Sequence, residues 1–145
     1  MTVQPISSGS FSLTFPNARK KDPIGVFTGL SGLSLWMEGD ELYEGGVNDS
    51  PHYLTTHIRY KPLVLSRPVS ESTPETCKWV IANMRDPEPR TGEVTLRTSG
   101  NAPMFTIEFL SLLPVAWRGP TLDTINPQVA LEEIEFVHGG FTLKS

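Results

Sequence analysis

The sequence predicts a mainly β protein: a small barrel or sandwich of about seven strands with one α-helix packed outside. Three observations carry this. Apolar and polar residues alternate with the two-residue period of half-buried strands in several separate stretches. Clusters of Gly, Pro, Asn and Ser punctuate the chain between them. One stretch alone shows the spacing of an amphipathic helix.

The first strand is signalled by Phe11, Leu13 and Phe15 alternating with Ser10, Ser12 and Thr14. A Pro- and Gly-punctuated connection over residues 16–25 follows. Leu33, Leu35 and Met37 then alternate with Ser34, Trp36 and Glu38, which predicts a second long strand with one buried face, closing at Gly45-Gly46. Residues 45–56 hold Gly45, Gly46, Asn48, Asp49, His52 and Tyr53 among other turn-formers and lack apolar periodicity, so they predict a long loop. Asp40, Glu41 and Glu44 are expected to end the strand before it. Residues 57–69 are β-rich but contain Pro62, which has no N–H for a ladder, so two short strands or one bent strand are expected.

Ser72 with Glu75 fits a capping box, and Thr73 before Pro74 fits an N-cap followed by proline at the first helical position. Cys77, Val80, Ile81 and Met84 then fall at i, i+3, i+4 and i+7, one apolar stripe of a helix over residues 73–85 that stops before Pro87. A strand over residues 92–98 turns Val94 and Leu96 inward. The longest strand, residues 104–117, alternates Phe105, Ile107 and Phe109 with Thr106, Glu108 and Leu110. The last runs from Val129 to about His138 and changes parity midway, because Val129 and Leu131 are out of step with Ile134 and Phe136. A bulge near Glu132-Glu133 or burial of both faces would explain the change.

With 145 residues, no repeat and no long linker, one continuous unit is expected. No apolar run approaches the roughly 18 residues of a membrane-spanning helix, so no membrane anchoring is expected. Residues 1–6 lack the basic and apolar regions of an export signal, so nothing points to secretory export and synthesis is expected to end in the cytosol. The lone Cys77 can form no internal disulfide and fits a buried, inert thiol. A net charge of -4 argues against binding that works by neutralising phosphates. The one basic cluster, Arg19-Lys20-Lys21, lies in a Pro-flanked connection and fits a solvated turn.

Candidate chemistry is thin. His52, His57 and His138 are the only histidines, and the spacing of the first two would put them on opposite faces of an extended chain. No HExxH, GxSxG or CxxC is present. Glu133 and Glu135 share a face, the pairing that acid/base work exploits, but with no partner histidine they fit a solvated or lumen-facing strand. Gly29-Leu30-Ser31-Gly32 lacks phosphate-loop spacing and fits a tight turn or bulge. No catalytic residue, cofactor site or metal site is expected.

Three stretches carry a resemblance. Phe27-Thr28-Gly29-Leu30-Ser31-Gly32-Leu33-Ser34, followed by Leu42-Tyr43-Glu44-Gly45-Gly46, resembles the "vSGLs … yreGG" opening of the tail tube proteins of contractile phages and extracellular contractile injection systems. These are myovirus-type tubes, related to the haemolysin-coregulated tube protein of type VI secretion. Trp79-Val80-Ile81 resembles the family's tryptophan-containing helix after a strand end, here Leu65-Ser66-Arg67-Pro68. Leu113-Pro114-Val115-Ala116-Trp117-Arg118-Gly119-Pro120-Thr121-Leu122 and the segment from Val129 to Phe141 are similar to its "PvkWeGPdlna…nevaiEtleLahegl" ending.

The resemblance covers roughly residues 11–143 and implies a single tail-tube domain over residues 1–145 with a structural rather than enzymatic role. It implies hexameric rings stacked into a tube inside a sheath, with sheath, baseplate and terminator proteins as partners and protein cargo or DNA in the lumen. The particle would be a virion tail or an injection device. Gly45, Gly46, Asn48, Asp49, His52 and Tyr53 would form an inter-ring loop. Cys77, Trp79, Val80, Ile81 and Met84 would belong to an outer helix, and Thr95, Arg97, Thr106 and Glu108 would line the lumen. Pro51-His52-Tyr53-Leu54 stands where the family has "LPGr", so a baseplate-proximal initiator or terminator ring is the alternative; a small ligand-binding barrel is a further one.

Overall fold

A computed structural model of the chain describes residues 8–16, 25–42, 52–126 and 128–144. Within them the chain forms β1 (Ser8–Thr14), β2 (Gly25–Phe27), β3 (Gly29–Ser31), β4 (Leu35–Leu42), β5 (His52–Tyr60), β6 (Leu63–Pro68), α1 (Thr73–Arg85), β7 (Arg90–Thr98), β8 (Pro103–Arg118), β9 (Leu131–Val137) and β10 (Gly140–Lys144). The excess over about seven strands comes from the three- and five-residue pieces β2, β3 and β10, too short to show a period.

One eight-stranded antiparallel sheet runs in the order β2-β1-β7-β8-β9-β6-β3, with β10 also on β8. Its terminal strands β2 and β3 are consecutive in the chain, and the Thr28 N–H between them donates to the Ser66 carbonyl at 3.0 Å, so the sheet curls round and closes on itself. Closure demands tight passage at the Gly29-Leu30-Ser31-Gly32 motif. Gly32 has φ +94°, and a Cβ there would run into the Pro62 carbonyl. The motif is thus a strand ending in a turn.

Strand β8 is long enough to serve two neighbourhoods. Residues 106–110 lie between β7 and β10, while residues 113–118 pair with β9. Ser111, at φ +53°, marks the switch: Ile107 and Phe109 point inward before it, and Leu112 and Pro114 after it. The predicted alternation over Phe105, Ile107 and Phe109 therefore holds only for the first half.

The core contains Phe27, Phe109, Phe136, Leu65, Ile107 and Ile134, all essentially inaccessible, and each such side chain stabilises by about 1.5–3 kcal/mol relative to exposure. Helix α1 adds Val80 to the same core, and its Trp79 ring packs on Phe15 and Phe136. The helix spans the predicted residues, but its inner face is rotated. Thr76 and Val80 are buried and Trp79 half-buried, whereas Cys77 is half-buried and Ile81 and Met84 are exposed. The predicted capping box is not formed, because the Ser72 hydroxyl bonds that of Ser70 and makes no cap to the helix.

The rotation follows from a buried polar cluster. Arg67 on β6 donates from Nε to Glu132 on β9 at 2.6 Å and from Nη2 to the Thr76 hydroxyl at 2.6 Å. That hydroxyl donates onward to the Ser72 carbonyl, and Trp117 Nε1 donates to the other Glu132 oxygen at 3.2 Å. The Arg67 guanidinium also lies over the Phe27 ring, 4.6 Å from its centroid. Glu132 explains the parity problem of the last strand. No bulge falls at Glu132-Glu133, the one irregularity in the pairing of β9 with β8 lying between Pro114 and Ala116; Glu132, Ile134 and Phe136 form one inward face, and Leu131 and Val137 point outward.

Two outcomes follow. Glu132→Ala, which removes a buried carboxylate from Arg67, is expected to cost about 3–5 kcal/mol in chemical denaturation, and the joint replacement Arg67→Met with Glu132→Leu to cost less than either single change. Gly32→Ala is expected to destabilise by roughly 2 kcal/mol or more, read as a fall in melting temperature; an unchanged melting temperature would show that the β3 turn relaxes freely.

Candidate assembly surfaces

The face of the sheet opposite the core gathers the four residues predicted to line a lumen. Cross-strand register sets Ser12 beside Thr95, Thr95 beside Thr106 and Thr106 beside Lys144. A second row runs Thr14, Glu93, Glu108, Thr142, and a third places Ser10 beside Arg97. The Thr95 and Thr106 hydroxyls are 3.2 Å apart. Glu93 and Glu108 are directly opposite like charges, an arrangement that destabilises a sheet unless it is compensated. Lys144 supplies the compensation: its Nζ lies 3.6 Å from Glu93 Oε1 and in closer contact with Glu108 Oε2. The hydrogen bond to Glu108, above all, raises the pKa of Lys144 above its ordinary value. Lys144 and the strand that carries it were not legible in the sequence, since a five-residue terminal run has no periodicity to read.

The hairpin of β4 and β5 forms a sheet of its own. Its pairing corrects two expectations. His52 and Tyr53 are in strand β5, opposite Leu42 and Glu41, rather than in a loop; Gly45, Gly46, Asn48 and Asp49 lie outside the described residues, as does Arg19-Lys20-Lys21. Asp40 and Glu41 lie in the last three residues of β4, which ends at Leu42 as expected, with a register shift between Gly39 and Glu41. The alternation of Leu33, Leu35 and Met37 marks no buried face either. Leu35 and Met37 pair with Tyr60 and Ile58, and Leu35, Met37 and Ile58 are 55%, 69% and 56% exposed. Trp36, Glu38, His57 and Arg59 take the other face, where Arg59 Nε donates to Glu38 at 2.9 Å.

At the hairpin's root the chain is held firmly. The Tyr60 ring stacks edge-on to Phe141 at 5.4 Å and to His138 at 5.6 Å, and His138 also packs on Phe109 at 5.0 Å. His138 Nε2 is 2.9 Å from the Lys61 carbonyl, and the Gly140 N–H donates to Nδ1 at 3.1 Å. One neutral tautomer, with the hydrogen on Nε2, makes both bonds. Gly140 has φ +136°, and a Cβ there would press on the Tyr60 ring. His138 is thus a structural residue, while His57 lies opposite Glu38 on the hairpin.

Glu133 and Glu135 share an outward face, as expected, and both are taken up by Arg118, at 3.0 and 3.3 Å. The hydrogen bond to Glu133, then that to Glu135, raises the Arg118 pKa above its ordinary value. The exposed pair is a solvated ladder. Among the described residues no group of three or more His, Cys, Asp or Glu side chains could hold a metal ion, and no helix is long and apolar enough to cross a membrane.

The T4-like virus tail tube protein gp19 family matches residues 8–142. Among curated proteins, none matches the chain. Similar solved structures include a chain of the anti-feeding prophage baseplate, 24% identical with a TM-score of 0.75, covering 99% of this chain and 97% of that one. A chain of the PVC extracellular contractile injection system, from its extended sheath–tube complex, is 16% identical with a TM-score of 0.73, covering 97% and 92%. Hcp1 from Flavobacterium johnsoniae is 18% identical with a TM-score of 0.59, covering 92% and 94%. At these identities the likenesses show a shared fold. The family match over nearly the whole chain shows that the chain belongs to the T4-like virus tail tube protein gp19 family, whose members are structural tail tube proteins.

Proposed function

We propose that the protein forms hexameric rings that stack into the inner tube of a contractile tail or injection particle, with the polar sheet face as the lumen wall. The observation that carries this is the exposed apolar side of the β4–β5 hairpin. Leu35, Met37 and Ile58 on one face of the ribbon are each more than half exposed among the described residues, and Tyr60 at its end packs in an aromatic cluster. An exposed apolar face of this kind is what a neighbouring copy would cover. Strand β10 has a partner only on β8 among the described strands, so its other edge offers a neighbouring subunit a ladder, and ring closure would remove that edge.

Sheath and baseplate proteins are the proposed partners, because relatives of the same fold were solved in a sheath–tube complex and in a baseplate. The predicted inter-ring segment with Gly45, Gly46, Asn48, Asp49, His52 and Tyr53 is the proposed ring-to-ring contact, and assembly is proposed to occur in the bacterial cytoplasm. A specialised ring beside the baseplate or at the terminus is the second reading, favoured by Pro51-His52-Tyr53-Leu54, of which His52 to Leu54 extend a strand here.

Electron microscopy of the purified protein tests the assembly: tubes or stacked discs support the main reading, isolated rings the second, and a monomer at high concentration neither. Met37→Asp is expected to change subunit stability by no more than about 0.5 kcal/mol while abolishing rings. For the lumen wall, Thr106→Cys is expected to react in assembled tubes with a small maleimide and not with a bulky polymer-linked one; equal reaction with both would place the polar face outside.

A further inference from the structure

One side chain is bonded so that a single protonation state fits it. His138, in the turn between β9 and β10, accepts at Nδ1 from the N–H of buried Gly140 at 3.1 Å, and its Nε2 lies 2.9 Å from the Lys61 carbonyl just beyond β5. The two bonds ask opposite things of the ring, a lone pair on Nδ1 and a hydrogen on Nε2. The other neutral tautomer would set a lone pair against the carbonyl and a hydrogen against a hydrogen. The imidazolium would keep the bond to Lys61 but place an Nδ1 hydrogen against the Gly140 N–H, so that a buried donor loses its acceptor.

Nor can the ring turn aside without moving its neighbours. It packs edge-on against Phe109 at 5.0 Å, Tyr60 at 5.6 Å and Phe141 at 6.1 Å. Tyr60 is the last residue of β5, and its ring lies directly on Gly140. Of the described residues in contact with the imidazole, Phe109 of β8 and Phe141 of β10 carry no charge, whereas Tyr60 carries a phenol and Lys61 an ammonium group. Phenols and ammonium groups hold their charge state between about pH 5 and 8, the range in which imidazoles change theirs.

Resting on the ring reading above, we propose that His138 is a pH-sensitive latch on the β4–β5 hairpin. Neutral, it fixes the root of the hairpin in the orientation that ring closure needs; protonated, it releases the root and prevents assembly. The sign follows from the bonds. The Gly140 bond exists only while Nδ1 is unprotonated, so it is present above the titration of the imidazole and is lost as pH falls through it. Subunits therefore assemble at neutral pH and stay apart in weak acid. The displaced ring carries Tyr60 with it, and the face of Leu35, Met37 and Ile58 swings out of register with the neighbouring copy.

Two measurements test the latch. In the Met37→Asp subunit, expected to stay monomeric, the nitrogen chemical shifts of the imidazole and the exchange of backbone amides are followed by NMR from about pH 8 to 5. His138 is expected to hold its hydrogen on Nε2 at the upper end. As it titrates, the protection of the Gly140 amide, corrected for intrinsic exchange, is expected to fall by about tenfold relative to that of Thr98, whose N–H is held at 2.9 Å by the Ala102 carbonyl in a distant turn. Separately, ring formation from dissociated parent subunits is followed by sedimentation at about pH 7.5 and about pH 5, beside His138→Gln, which can donate to Lys61 and cannot take up a proton, and His57→Asn. The parent and His57→Asn are expected to form at least about tenfold fewer rings in acid, and His138→Gln to lose that dependence. Gly140 protection that does not change as His138 titrates, an Nδ1-protonated neutral tautomer, or an acid step that survives in His138→Gln would each overturn the proposal. If His138→Gln does not fold, the Gly140 measurement decides alone. A parent that forms no rings at either pH overturns the ring reading and this one with it; equal ring yield at both overturns the latch only.

Discussion

Moving an arginine and a glutamate from water into a β core costs several kcal/mol per ion before their pairing is counted, so the Arg67–Glu132 pair can exist only where geometry is tightly specified. Each partner's remaining polar atoms are used. The guanidinium reaches Thr76 and lies on Phe27, and the second Glu132 oxygen accepts from Trp117. Those contacts join β2, β6, β8, β9 and the helix at one point. The pairing register of β6 with β9, which sets Arg67 opposite Glu132, cannot slip by one residue without turning both charges out and Ile134 and Phe136 with them. The pair thus specifies register and helix docking more than it stabilises.

What the helix docking achieves becomes visible at the opposite side of the sheet. With Thr76 and Trp79 drawn to the core, the apolar demand of the sheet is met mainly on one face, and the other is largely polar across β1, β7, β8 and β10, with Val26 and Leu110 as exposed apolar exceptions. Strands β1, β7, β8 and β10 can then present Ser, Thr and balanced charge in cross-strand rows. The wall is a consequence of where the core was closed. The hairpin is set by a different device, the aromatic and histidine cluster at its root, and the two assembly surfaces are therefore independently built.

Much of this was legible in the sequence where periodicity is local. Helix limits and the inward Val94 followed from spacing, and Thr95, Arg97, Thr106 and Glu108, expected on a lumen wall, share the face opposite the core. Periodicity failed where burial is decided elsewhere. Glu132 reads as a solvent-facing break in a strand, because its buried counter-charge lies 65 residues earlier. Ile81 and Met84 complete an apolar stripe by spacing, yet the helix turns to satisfy Thr76 and Arg67 instead. Residues 52–56 lack apolar alternation because a strand paired in a protruding hairpin needs none.

The hairpin exposes the deeper ambiguity. Alternation in Leu35 and Met37 records that one face is kept from water, and it is silent about whose atoms do so. A core and an interface leave the same period in the chain. They differ in a structure, because core residues reach zero exposure within the subunit, as Phe27 and Phe109 do, whereas interface residues on a separate ribbon do not. Here the exposed face carries Leu35, Met37 and Ile58, while the opposite face carries Glu38, His57 and Arg59 beside Trp36. The apolar side chains gather on one face and the charged ones on the other, so in this hairpin the hydrophobic pattern of the sequence marks an exposed face and not a core.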